Sequence, residues 1–138
     1  MKRLFIDTNV ILDLFMNRVP FSFDAADLFE LASQEKINLF VSPLSFNNIY
    51  YISRKSIGHD AAIANLKKMS ALTIVLDVTK KIIDDALVSD NPDFEDAIQY
   101  YTALANNSIE AIVTRDRIGF KKSTLPVFSP AEILKLLA

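Results

Sequence analysis

Short apolar runs alternate along this chain with stretches in which apolar residues recur every three or four positions. Leu4-Phe5-Ile6, Leu39-Phe40-Val41 and Ala111-Ile112-Val113 are brief and uniformly apolar, the pattern of strands buried on both faces. Residues 72–78 are rich in β-branched side chains and read as a further strand, and Pro126-Val127-Phe128 as a short edge strand. Between them, Ala25, Leu28, Phe29 and Ala32 fall at helical spacing behind Ser22, which is read as their cap. Residues 44–55 and 60–70 predict helices broken at Ile57-Gly58, and Thr79 caps a helix carrying Ile82, Ile83, Ala86 and Leu87. After the turn-like Ser89-Asp90-Asn91-Pro92, a strong helix places Ala97, Ile98, Tyr101, Leu104 and Ala105 on one face, and Ser129-Pro130 opens a last helix. Strands alternating with helices imply an α/β fold of three layers, a central parallel sheet flanked by helices. No repeat or linker interrupts the pattern, so residues 1–138 form a single domain.

Composition narrows the chemistry. A chain with 51% hydrophobic and 23% charged residues is not disordered. Two glycines exclude a glycine-rich phosphate loop, and the absence of cysteine removes disulfides, thiolate zinc sites and cysteine nucleophiles. The single histidine, His59, makes imidazole metal sites and a serine–histidine triad poor fits, and no role follows for it. Any metal must therefore be held mainly by oxygen. A net charge of −2 is no footprint of bulk nucleic-acid binding, so such a role requires a local basic patch. The first residues imitate a signal peptide until Asp7 and Asn9 interrupt the apolar run. The uncharged stretch 37–53 carries Asn38, Pro43, Asn47 and Asn48, which suits no bilayer span. The expectation is a cytoplasmic protein without a membrane segment.

In an open parallel sheet, ligands gather beyond the carboxyl ends of the strands. Asp7 directly follows the first strand and Asp116 a later one, while Asp93 and Asp96 lie three apart at the start of the strong helix. Singly, most have a structural explanation: an Asx-turn for Asp7, a helix cap for Asp93, dipole complementation for Asp96 and a turn beside Arg115 and Arg117 for Asp116. Only Asp7 reads as functional on its own. Together the four change the balance, because clustered carboxylates repel and raise one another's pKa unless a cation joins them. All-oxygen ligation suits Mg²⁺ or Mn²⁺.

Phe5-Ile6-Asp7-Thr8-Asn9-Val10-Ile11-Leu12-Asp13, Asp93-Phe94-Glu95-Asp96-Ala97 and Ile112-Val113-Thr114-Arg115-Asp116 resemble, in that order, the motifs of the PIN-domain ribonucleases, including the small bacterial toxins among them. The resemblance spans nearly the whole chain. It implies a divalent-metal-dependent endoribonuclease with Asp7, Asp96 and Asp116 as metal-binding catalytic acids and Asp93 as an accessory acid. Thr8 and Asn9 would shape the first loop. Metal-assisted phosphodiester hydrolysis leaving 5′-phosphate and 3′-hydroxyl ends is the implied reaction. Further implications are an antitoxin partner, as in toxin–antitoxin pairs, and a homodimer. One departure stands out: family members generally carry glutamate in the helix after the second strand, and here that position is Asn48.

RNA must reach an acidic pocket, and the local cations best placed to receive it are Arg115 and Arg117, with Arg54 next. Lys67-Lys68 and Lys80-Lys81 read as solvated helix faces, and of Tyr50, Tyr51, Tyr100 and Tyr101 at least half read as core rather than as base-stacking rings. Two rivals remain in view. One is a catalytically weakened or silent PIN-like module that binds RNA or a protein partner, which Asn48 favours. The other is a phosphoryl-transfer domain, disfavoured because Asn9 stands where an aspartate-nucleophile phosphatase needs a second acid.

Overall fold

The computed structural model describes residues 2–138. Five strands run in parallel among them: β1 (Arg3–Ile6), β2 (Asn38–Val41), β3 (Ile74–Val75), β4 (Ala111–Val113) and β5 (Val127–Phe128), in spatial order β3-β2-β1-β4-β5. The helices are α1 (Thr8–Phe15), α2 (Phe21–Ser33), α3 (Pro43–Leu72), α4 (Lys80–Val88), α5 (Phe94–Leu104) and α6 (Pro130–Leu137), with one 3₁₀ turn at Ile118–Phe120. The three-layer α/β reading is therefore the observed architecture, and no helix of the described residues is long and apolar enough to cross a membrane.

The strands are apolar throughout because both faces are covered, and the alternation of side chains divides them between two cores. Leu4, Ile6, Leu39, Val41, Ala111 and Val113 face one core with Val10, Ile11, Leu28 and Ile133. Phe5, Phe40 and Ile112 face the other with Ala103, Ile109 and Phe120. A smaller cluster, Ile82, Ala86, Ala97 and Ile98, joins α4 to α5.

Several local expectations change. The segment after Asp7 is a helix, α1, rather than an isolated Asx-turn, and Asp7 is its N-cap without a side-chain capping bond. Ser22 does not cap α2: the helix starts at Phe21, behind Pro20, and Ser22 is buried inside its first turn. The strand expected over 72–78 shrinks to Ile74–Val75, because α3 runs to Leu72 and only the two residues beside β2 are paired. The break at Gly58 is present as a kink with φ +83° and ψ 172°, a backbone region open essentially to glycine alone. In α5, Ala97 and Ile98 are buried as expected. Leu104 and Ala105, however, face outward while Gln99, Thr102 and Ala103 take the buried positions.

Candidate active site

The strand order reverses its direction of growth at β1, with β2 on one side and β4 on the other. Beyond the carboxyl ends of these strands lies the crevice that such a switch point creates. Its cavity, about 560 Å³, is lined by Asp7, Thr8, Asn9, Asn48, Asp93, Glu95, Asp96 and Asp116, with Leu12, Asn47, Tyr51 and Ile52 completing the wall.

Asp7 sits deepest, only 2% exposed. Its N–H donates to the Val113 carbonyl at 3.0 Å, fastening the end of β1 to β4. Gln99 Nε2 donates to one carboxylate oxygen at 3.0 Å and the Thr114 hydroxyl to the other at 2.7 Å. Burial pushes the Asp7 carboxyl above its ordinary pKa, and these two hydrogen bonds act in the opposite sense by favouring the ionised form. Asp116 is positioned by a turn in which its own N–H donates to the Thr114 hydroxyl at 2.9 Å, so Thr114 serves both acids. Thr8 reaches across to Ser45 at 2.7 Å and ties α1 to α3 at the cavity wall.

Asp93 combines two functions, because its side chain accepts from the Asp96 N–H at 3.0 Å as the cap of α5 while it also lines the cavity. Asp96, half-buried, lies against Gly119, where an added Cβ would stand 2.0 Å from its Oδ2. Desolvation first, and then the charges of Asp7, Asp93, Asp116 and Glu95, push the Asp96 carboxyl up to about 7.

A family model for the PIN domain matches residues 3–118, most of the chain. The chain belongs to the PIN-domain family. Comparison with curated protein sequences finds no match. Solved PIN structures with similar folds include the Mycobacterium tuberculosis toxin VapC20, a sarcin–ricin loop cleaving toxin, at 17% identity and TM-score 0.67, covering 86% of this chain and 94% of that one. The DNA-bound VapBC complex of Salmonella typhimurium aligns at 15% identity and TM-score 0.68, covering 94% and 99%. A toxin–antitoxin complex from Klebsiella pneumoniae aligns at 19% and 0.65, covering 92% and 97%.

Of the acids read from the sequence of this PIN domain, Asp7, Asp93, Asp96 and Asp116 all line one cavity, together with Thr8, Asn9 and Asn48. The arginines behave differently. Arg115 points away from the cavity, where Nε and Nη2 grip the buried Asp13 at 2.5 and 2.8 Å and the guanidinium stacks 3.8 Å from the Phe21 ring centroid. Arg117 is ion-paired with Glu132 on α6. Arg54 is exposed on α3, its guanidinium 5.1 Å from the ring of Tyr51, which is itself on the cavity wall and 56% exposed. Lys80 and Lys81 pair with Asp84 and Asp85 on the surface of α4, as solvated lysines do. Of the four tyrosines, Tyr100 and Tyr101 are partly buried against the cores, as expected of half of them, while Tyr51 is exposed. His59 shares a hydrogen bond with Tyr50, away from the carboxylates.

Sequence reasoning missed Glu95 and Gln99. Gln99 carried a signal, a lone amide three residues after Asp96 on an otherwise apolar turn. Glu95 was masked by Asp96 beside it. The departure at Asn48 also takes on a new meaning, because its Nδ2 donates to Glu95 Oε1 at 2.5 Å. The wall that lacks a carboxylate on α3 receives one from α5.

The donor chemistry suits a hard divalent cation: five carboxylates face one cavity and, among the described residues, none forms an ion pair. As the side chains stand, no three of them, among the described residues, close on a common ion.

Proposed function

We propose that this PIN domain is a divalent-metal-dependent endoribonuclease that hydrolyses RNA phosphodiester bonds with Mg²⁺ or Mn²⁺, and that it is the toxin of a toxin–antitoxin pair. The observation that carries the reading is the convergence of Asp7 and Asp116, which follow β1 and β4, and of Asp96 on α5, on one crevice at the strand-order reversal. Family membership and the toxin–antitoxin complexes among the similar folds support the biological role and a protein antitoxin as partner. A homodimer is the expected form of the free chain.

Asp7, Asp96 and Asp116 would hold the cation, with Asp93 beside them. When bound, the cation supplies Lewis-acid activation of water and neutralises charge at the phosphate. The chain's own residues prepare the rest. Gln99 and Thr114 orient the two oxygens of Asp7 and bias it toward the ionised form that a ligand needs. Burial first and then the neighbouring acids hold Asp96 partly protonated near neutrality, so it would release a proton as a cation enters. On the rim, Tyr51 offers an exposed ring flanked by Arg54 and by Lys55 at 5.2 Å, where a base can stack and a phosphate can pair.

The test uses purified protein, a panel of structured and single-stranded RNAs, and Mg²⁺, Mn²⁺ or EDTA. Cleavage is expected only with metal and is expected to fall to background in Asp7→Asn. An Asp7→Asn protein as active as wild type would overturn the reading.

A further inference from the structure

Among the described residues outside this cavity, the one buried carboxylate and several exposed ones are answered by cations. Asp13 has Arg115 and, at 3.7 Å, Arg18; Asp90 has Lys122; Glu132 has Arg117. Glu95 is treated otherwise. It is half-buried in the cavity wall, and its partner on α3 is a neutral amide, Asn48, at 2.5 Å. An amide fixes a carboxylate in place and leaves its charge uncompensated, which is the arrangement of a held ligand rather than of a closed ion pair. Glu95 and Asp96 are adjacent in the first turn of α5 yet serve different walls, Glu95 toward α3 and Asp96 against Gly119. Glu95 lines the same cavity as Asp7, Asp93, Asp96 and Asp116, so it belongs to the same cluster of acids.

We infer that Glu95 is a further acidic residue of the cation site, that Asn48 is its positioning residue, and that the two form one unit in which the negative charge is carried by α5 and the clamp by α3. The inference rests on the metal-dependent reading above. It explains why an amide suits residue 48: a second carboxylate there would stand within hydrogen-bond distance of Glu95 and repel it until a cation bound.

The unit can be turned round without changing its shape. Glu95→Gln and Asn48→Asp each replace a group by its isostere, and the double variant exchanges carboxylate and amide while keeping net charge and the hydrogen bond. The probe is Mn²⁺, titrated calorimetrically into metal-free full-length protein, with thermal melting recorded alongside. Glu95→Gln is expected to weaken Mn²⁺ binding by about 10- to 100-fold without lowering the metal-free melting temperature. The double variant is expected to recover most of that loss. Asn48→Asp alone is expected to melt lower than wild type without metal and to gain more from Mn²⁺. Wild-type Mn²⁺ affinity in Glu95→Gln would overturn the inference while leaving the nuclease reading intact. Loss in Glu95→Gln with no recovery in the double variant would overturn the exchange of roles. A wild-type protein that neither binds Mn²⁺ nor cleaves RNA would overturn both readings.

Discussion

Gly119 shows how much the site depends on space as well as charge. The Asp96 carboxylate occupies the room its missing side chain leaves, and an added Cβ would come within 2.0 Å of Oδ2. Gly119→Ala is therefore expected to keep the fold, since a short side chain can swing away, but to lower Mn²⁺ affinity by about 10- to 100-fold. Calorimetric titration beside far-UV circular dichroism checks both halves of that expectation. At this scale the sequence was legible where a residue's place in the fold follows from its neighbours in the chain. Asp7 and Asp116 follow strands and Asp96 begins a helix, so each could be placed from its surroundings. Gln99 and Glu95 were not legible in this way, because their partners, Asp7 and Asn48, lie 92 and 47 residues away. Arg115 misled for a related reason: a buried carboxylate, Asp13, lies 102 residues earlier and claims the guanidinium.

Among the elements, the kink in α3 separates the half that bears Asn48 and Tyr51 from the half that packs Met69 into the core. Gly58 at φ +83° permits it, and Gly58→Ala places a Cβ in a strained conformation although nothing stands within 4 Å. The cost is expected to be about 1–3 kcal/mol in urea denaturation, with Mn²⁺ affinity unchanged. The glycine between two helical patterns made this break readable from sequence. The face of α5 was harder to read. Thr102 is buried because its hydroxyl bonds to the Ile98 carbonyl at 2.7 Å, and Gln99 because it serves Asp7. Hydropathy places polar residues outside, so a buried face that includes the hydrogen-bonded Thr102 and Gln99 is assigned the wrong phase. Strand β3 failed for the opposite reason, since β-branched residues at 73–75 mark a propensity that only two residues of pairing realise.

For the molecule as a whole, the gathered acids tie folding to pH. Asp96 titrates at about 7 in the folded chain against 3.8 for an unperturbed aspartate. Between these values the folded state binds more protons than the unfolded one, so this contribution to stability is lost as pH rises from about 4 through about 7. Without metal, the melting temperature is expected to fall more steeply across that window in wild type than in Asp96→Asn. Mn²⁺ is expected to offset the fall increasingly as pH rises, and a series of thermal melts with EDTA or Mn²⁺ tests the trend. The parallel architecture itself was readable, because uniformly apolar strands require cover on both faces. The strand order was not, since pairing of β1 with β4 depends on contacts across the length of the chain. That pairing has a consequence for biosynthesis. Asp7 is synthesised 92 residues before Gln99 and 107 before Thr114, the two residues that hold its carboxylate. A growing chain thus carries an acid with no cavity around it until those later residues have been made. The crevice takes shape only after β4 has emerged to meet β1, so its acids are gathered in one step rather than one by one.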